Sequence, residues 1–327
     1  MNKKVLIIGG TGFIGYHATL EFLKEGYEVS IITLPPEIKK GLLPERVKIT
    51  YSDLNKISDQ QTIKAIKGND SVVFAAGADD RITPQKPAYR FFYDANVKSA
   101  KRFFELAQKA GAKRGVLFSS YFAYFARVWP EMKLDRHHPY IRSRVVQESE
   151  VISVCNKGLE VMVLEFPYIF GAAPDKKPLW CPLLSYLEKT PYVFYTRGST
   201  NCVSVKTVAR AVVGAIKNGK AGERYVIGDQ NLTWKEMLSG LMKAMGIRKK
   251  IIILPNIMAK IGVLSLLIKH KLQGREGGLS PIKFVNLQTR NTYFKASLAQ
   301  KELDFEGGDL EEAFSQTAKA CANIYPT

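Results

Sequence analysis

Short apolar runs alternate with amphipathic stretches over the first half of the chain. The runs at 4–8, 28–32, 47–51, 71–75, 115–118 and 160–164 are rich in β-branched and aromatic residues and predict strands. Between them, the stretches at 13–25, 58–67, 92–110 and 139–156 carry apolar residues at helical spacing. In the third, Val97, Ala100, Phe104 and Ala107 mark one buried stripe. Strands that are apolar almost throughout, alternating with helices, predict a parallel sheet covered on both faces. Ligands of such sheets bind at the carboxyl ends of the strands.

The first strand supplies the chemistry. Val5-Leu6-Ile7-Ile8 runs into Gly9-Gly10-Thr11-Gly12-Phe13-Ile14-Gly15, and a helix follows. Gly9 permits the tight turn, Gly12 lets the backbone approach a pyrophosphate, and Gly15 lets the helix pack close to the strand. The helix N-terminus faces the anion. The fold class is therefore α/β, a Rossmann-type doubly wound parallel sheet.

After Pro167 the rhythm changes. Residues 171–200 are rich in Pro, aromatics and Lys and read as loops with a helix. The regular pattern returns with a strand at 202–205, a helix through 209–216 and a strand at 224–227. Thr233 then caps a helix, with Glu236 completing a Thr-x-x-Glu box. A basic apolar segment at 247–273 and a helix near 309–323 close the chain. We read 1–167, with 201–230 returning to it, as a dinucleotide-binding domain. The stretches 168–200 and 231–327 form a smaller, mixed substrate-binding lobe.

Composition narrows this further. A chain of 327 residues with 46% apolar content builds a sizeable core. The cysteines Cys155, Cys181, Cys202 and Cys321 form no C-x-x-C pair, which predicts reduced thiols in a cytoplasmic protein. The adjacent His137 and His138 are not spaced as metal ligands, so no metal is expected. Met1-Asn2-Lys3-Lys4 mimics a signal peptide only briefly, because the apolar run after it ends in glycines. The later run 261–268 holds Gly262 and Ser265 and is too short to span a bilayer. The net charge of +18 reads first as a lysine-rich surface and second as a preference for anions. Basic and acidic residues are interspersed and no nucleic-acid motif is present, which argues against a nucleic-acid partner.

In this order the motifs resemble the extended or atypical short-chain dehydrogenase/reductase family of epimerases, dehydratases and reductase-like enzymes. The glycine turn, Ser52-Asp53-Leu54, Val72-Val73-Phe74-Ala75-Ala76-Gly77, Asn96-Val97, Phe118-Ser119-Ser120 and Phe166-Pro167-Tyr168-Ile169-Phe170-Gly171 all fit. Gly222-Glu223-Arg224-Tyr225 and Leu232-Thr233-Trp234-Lys235-Glu236 look like its reductase branch. The resemblance implies an NAD(P) site built from Gly9, Thr11, Gly12, Phe13, Ile14, Gly15, Asp53, Leu54, Ala75, Ala76, Gly77, Asn96, Ser119, Tyr140, Arg144, Pro167, Tyr168 and Ile169. It also implies dimerisation through the helices at 92–110 and 139–156.

The catalytic motif departs from the family. Its Tyr-x-x-x-Lys is here Tyr140-Ile141-Arg142-Ser143-Arg144. Arginine keeps the charge that favours tyrosinate, but its planar fork does not reproduce a compact ammonium. The family's catalytic Ser/Thr falls on Tyr121, in an aromatic run through Phe125, with Ser120 beside it. Glu165 stands where the family usually carries arginine. No acid ends the second strand, where Thr33 precedes Leu34-Pro35-Pro36, and Glu37 is expected to lie past the pocket. This leans the cofactor towards NADP, with Thr33 on its 2′-phosphate.

The expected function is an NAD(P)-dependent oxidoreductase or epimerase/dehydratase-like enzyme. Its substrate is a small molecule, anionic or nucleotide-linked, carrying a carbonyl or hydroxyl. Tyr140 is the acid/base, Arg144 its electrostatic partner, and Tyr121 or Ser120 orients the oxygen. The alternative is an NAD(P)-binding sensor or scaffold without turnover. The apolar residues of 247–273 are expected to cap the substrate lobe, with peripheral membrane contact as the weaker reading.

Overall fold

The computed structural model describes residues 3–155 and 158–322, with the Cys155 side chain excepted. Met1, Asn2 and the last residue of the 139–156 helix lie outside the described residues. In chain order the elements begin β1 (Lys4–Ile8), α1 (Phe13–Lys24), β2 (Glu28–Thr33), β3 (Lys48–Tyr51), α2 (Asp59–Ile66), β4 (Ser71–Phe74) and α3 (Ala88–Phe92). There follow α4 (Ser99–Lys109), β5 (Arg114–Ser120), α5 (Tyr121–Val128), α6 (Leu134–His137), α7 (Pro139–Cys155), β6 (Glu160–Phe166) and β7 (Tyr168–Phe170). The second half holds α8 (Cys181–Lys189), β8 (Val193–Thr196), β9 (Ser199–Ser204), α9 (Val205–Asn218), β10 (Arg224–Val226), β11 (Gln230–Thr233) and α10 (Trp234–Ala244). The last are β12 (Ile251–Leu254), α11 (Asn256–Leu272), α12 (Pro281–Gln288), β13 (Asn291–Thr292), α13 (Ser297–Leu303) and α14 (Leu310–Ala322).

Seven parallel strands form the main sheet in the order β10-β6-β5-β4-β1-β2-β3. The strand order reverses between β1 and β4, which opens a crevice at their carboxyl ends. The alternation along β1 explains its unbroken apolar run. Val5 and Ile7 enter one core with α1 and α9, while Leu6 and Ile8 enter a second core with α4 and α7. Both faces are buried, so neither tolerates a polar residue.

A smaller sheet joins β11, β9 and β13, with β7 also paired to β9. A two-stranded sheet pairs β12 with β8. Thr233 caps α10 through the expected reciprocal box with Glu236. The segment 92–110 is not one α-helix. A π-helical stretch at 93–98 separates α3 from α4 and carries Asn96.

Two expectations are corrected here. Cys181 and Cys321 form a disulfide between α8 and α14, with Cα atoms 5.2 Å apart, so these thiols are not free. Cys202 is a buried free thiol. Of the segment 247–273, Ile247 and Ile251 pack against the core of the lobe, but α11 buries only Ala259 and does not cap the lobe with its apolar residues. No helix among the described residues is long and apolar enough to cross a membrane.

Candidate functional site

Two cavities meet at the glycine turn. One, of about 810 Å³, is lined by Gly9, Thr11, Thr33, Asp53 and Leu54. The other, of about 450 Å³, is lined by Phe13, Ile14, Gly15, Ser119, Ser120, Tyr121, Tyr140, Arg144, Pro167, Tyr168 and Ile169. Gly12, Ala75, Ala76 and Gly77 line both. The turn itself requires its glycines. Gly9 has φ +79°, and a Cβ at Gly15 would sit 2.1 Å from the Gly9 carbonyl. Gly12 caps α1 without a side chain, which leaves the first backbone N–H groups of the helix free for an anion. A dinucleotide fits this layout, with its two halves in the two cavities and its pyrophosphate at the turn.

The first cavity modifies the cofactor reading. Thr33 and Thr11 share a hydrogen bond of 2.6 Å between their hydroxyls. Glu37 lines the cavity, against the expectation that it lies beyond it. The chain after β2 folds back over the crevice, and a residue count along the strand does not register that. Lys39, also in the lining, is held by Asp175 at 2.6 Å. Asp53 accepts the Asn55 backbone N–H at 2.9 Å, so it is both a turn residue and part of the wall. Asn96 is not in either wall. It is fully buried behind the loop after β4, where Oδ1 accepts from the Ala78 amide at 2.7 Å and Nδ2 donates to Ser143 Oγ at 3.1 Å.

In the second cavity α7 presents Tyr140 and, one turn on, Arg144. Both are buried, so neither is an incidental surface residue. The Tyr140 hydroxyl faces Ser120 and Arg144. Burial raises the tyrosine pKa above its ordinary value, Arg144 opposes this, and Asp80 adds to it. The Arg144 guanidinium lies 5.2 Å from the Tyr140 ring centre. It donates to the carbonyls of Phe118 at 3.3 Å and Ala78 at 3.2 Å, and to Gln147 Oε1 at 2.9 Å. Its Nε is buried with no hydrogen-bond partner among the described residues. The fork thus bridges the loop after β4 and the end of β5, a role open to arginine and closed to lysine.

Tyr121 is tied to the smaller sheet. Its hydroxyl bonds Thr200 Oγ1 at 3.1 Å, and burial pushes its pKa up sharply. Ser120 caps α5 by accepting from the Phe122 amide at 3.3 Å. The start of α7 is pinned by the loop before α12. The Tyr140 amide donates to the Gly278 carbonyl at 3.0 Å, and the Ser280 amide donates to His138 Nδ1 at 3.0 Å. Burial lowers the His138 pKa to about 4.

The stretches 78–92 and 171–200 are expected from the sequence to shape the pocket, without any one residue being singled out. Asp79, Asp80, Arg81, Leu179 and Trp180 line the second cavity. Burial works to raise Asp79, but hydrogen bonds from Arg81 outweigh it and hold its pKa low. Burial and then the Asp79 charge raise Asp80. Under the floor, Ser119 donates to Glu148 at 2.5 Å. Glu148 also accepts from Arg127 at 2.8 Å and Arg224 at 3.0 Å, and Arg127 grips Glu165. A cation reaches this floor from α5, where it meets the glutamate that replaces the expected arginine.

The profile of the NAD dependent epimerase/dehydratase family matches residues 5–228, and the chain belongs to that family. A protein of Synechocystis sp. with the provisional name dihydroflavonol 4-reductase is 22% identical, over 94% of this chain and 92% of its own length. The crystal structure of gox2253 superposes with a TM-score of 0.80 at 19% identity, covering 99% of both chains. A UDP-glucose-4-epimerase from Stenotrophomonas maltophila, solved with bound NAD and formylated UDP-arabinopyranose, has a TM-score of 0.71 at 18% identity, covering 98% of both chains.

Proposed function

We propose that the chain is an oxidoreductase or epimerase-like enzyme that uses NAD to act on the carbonyl or hydroxyl of a small substrate with an apolar body. The observation that carries this is Tyr140, whose hydroxyl faces Ser120 and Arg144 in the cavity that adjoins the glycine turn. When bound, the nicotinamide ring supplies a hydride donor or acceptor. Tyr140 moves a proton to or from the substrate oxygen, and Ser120 orients that oxygen. Arg144 offsets part of the burial penalty on tyrosinate. We assign the orienting role to Ser120 because the Tyr121 hydroxyl is already spent on Thr200.

The wall chemistry selects the substrate class. Phe13, Phe118, Phe122, Tyr168, Ile169 and Trp180 present aromatic and aliphatic surface. The two cations there are engaged, Arg81 with Asp79 at 2.5 Å and Arg144 with backbone carbonyls. With Asp79 and Asp80 also present, this wall suits an uncharged apolar group better than an anion. Glu37 in the first cavity favours a ribose 2′-hydroxyl over a 2′-phosphate, so NAD is preferred to NADP.

Paired titration with NADH and NADPH, followed by nicotinamide fluorescence, tests the cofactor. Tighter NADH binding supports the reading, and no binding of either sinks it. Arg144 in place of lysine and Tyr121 in place of Ser/Thr favour one second reading, a cofactor-holding protein without turnover. Hydride transfer to any of a panel of apolar ketones, lost in Tyr140→Phe, removes that reading.

A further inference from the structure

We propose that α11 is a docking helix for the surface of an anionic phospholipid bilayer. Ile257, Ile261, Leu264, Ile268 and Leu272 stand in steps of four, three, four and four residues, which is one helical stripe. That stripe faces outward, with Ile257 68%, Ile261 65% and Leu272 83% exposed. Soluble surfaces do not carry an apolar ridge of this length without a use for it. The neighbouring strands β8 and β12 extend it with exposed Phe194 and Ile253.

Charge decides what covers it. From 237 to 275 the chain has no Asp or Glu, while Lys243, Arg248, Lys249, Lys250, Lys260, Lys269, Lys271 and Arg275 fall in this stretch. At about 100° per residue, Lys260 and Lys271 flank the apolar stripe on one side and Lys269 on the other. None of these three lysines forms an ion pair among the described residues. Apolar residues entering the acyl boundary, with lysines reaching phosphate headgroups on either side, form the interfacial arrangement. A symmetric contact with a second copy brings like-charged flanks together, which is unfavourable. At 17 residues the helix lies along the surface and does not cross.

The helix is coupled to the site. Its C-terminal connector pairs with the chain at 84–88, through the Lys86 amide to the Gly274 carbonyl and the Glu276 amide to the Pro84 carbonyl. It ends on the Gly278 carbonyl that holds the Tyr140 amide.

Flotation of the full chain tests this, with vesicles of phosphatidylcholine alone or with about one third phosphatidylglycerol. The expected result is binding to the anionic vesicles at low salt, weaker by about tenfold or more on phosphatidylcholine or at high salt. Ile261→Glu combined with Ile268→Glu abolishes flotation while the circular-dichroism melt is unchanged. Should that variant fold poorly, Lys260→Gln, Lys269→Gln and Lys271→Gln together weaken binding by about a hundredfold instead. The proposal is overturned by no flotation with anionic vesicles, by equal flotation on both compositions, or by undiminished binding of the folded variants. A dimer that the Ile261 and Ile268 changes dissociate, with no vesicle binding by the parent, assigns the face to a second copy and also overturns it.

Discussion

Arg127 holds the carboxylate of Glu165 with one guanidinium nitrogen, 2.8 Å from Oε1 and 2.7 Å from Oε2. Glu165 is fully buried beneath the second cavity, and Glu148 shares the same arginine. Burial and then Glu148 raise the Glu165 pKa well above 4.5, with Arg127 opposing. The folded chain therefore binds this proton more tightly than the unfolded chain. Its contribution is fully present below 4.5 and is lost as pH rises towards the folded value. Urea midpoints measured between about pH 5 and 8 should fall for the parent relative to Glu165→Gln, which has no such proton. A parent curve parallel to the Gln variant across that range contradicts this. Arg127→Met leaves two buried carboxylates together and should cost about 3 kcal/mol.

Arg144 does two things that substitution separates. Its contacts to Phe118, Ala78 and Gln147 tie the end of β5 and the loop after β4 to α7, and its charge favours tyrosinate at Tyr140. Arg144→Lys keeps the charge and loses most of the contacts, at about 1–3 kcal/mol of stability. Arg144→Gln loses the charge as well. The pH at which substrate oxidation reaches half its maximum should move upward in the Gln variant and stay near the parent value in the Lys variant. Equal pH profiles for the two variants mean that the charge plays no part.

The sheet was legible because its strands are buried on both faces, so their sequence is apolar throughout and fits little else. The glycine turn was legible because it is a backbone requirement. What escaped reading was set by long-range contacts. Arg144 finds carbonyls 26 and 66 positions away, and no local pattern announces them. The aromatic run from Tyr121 to Phe125 hides a helix, since aromatics on their own favour strands. Glu37 entered the cavity because the chain after β2 folds back over it. The apolar residues of α11 looked like core, and composition alone does not tell an inward stripe from an outward one.

The Cys181–Cys321 bridge joins positions 140 residues apart, a pairing that spacing cannot reveal. Closing so long a loop restricts the unfolded chain, and Cys181→Ser should lower stability by about 2–4 kcal/mol. Reductant should lower the parent to the level of the variant and leave the variant unmoved. Both cysteines pack in the core formed by α8, α10 and α14, apart from the two cavities at the glycine turn. Cofactor affinity of the folded variant should therefore match the parent. A parent no more stable than the variant in the absence of reductant shows that the thiols are free.

Tyr140 carries the sharpest expectation. Burial raises its pKa above 10, so near neutral pH it is protonated and ready to donate. Substrate reduction, which uses the phenol as acid, should hold a plateau at neutral pH and fall only above that raised value. Oxidation uses the tyrosinate as base, so its rate should climb with pH throughout the neutral range, close to tenfold per unit. Tyr140→Phe removes both behaviours, with turnover down by about 10²–10⁴ while cofactor binding persists. Steady-state rates in both directions across pH, on parent and variant, decide it. An oxidation rate flat with pH, or a Phe variant that keeps its turnover, assigns the proton to another group.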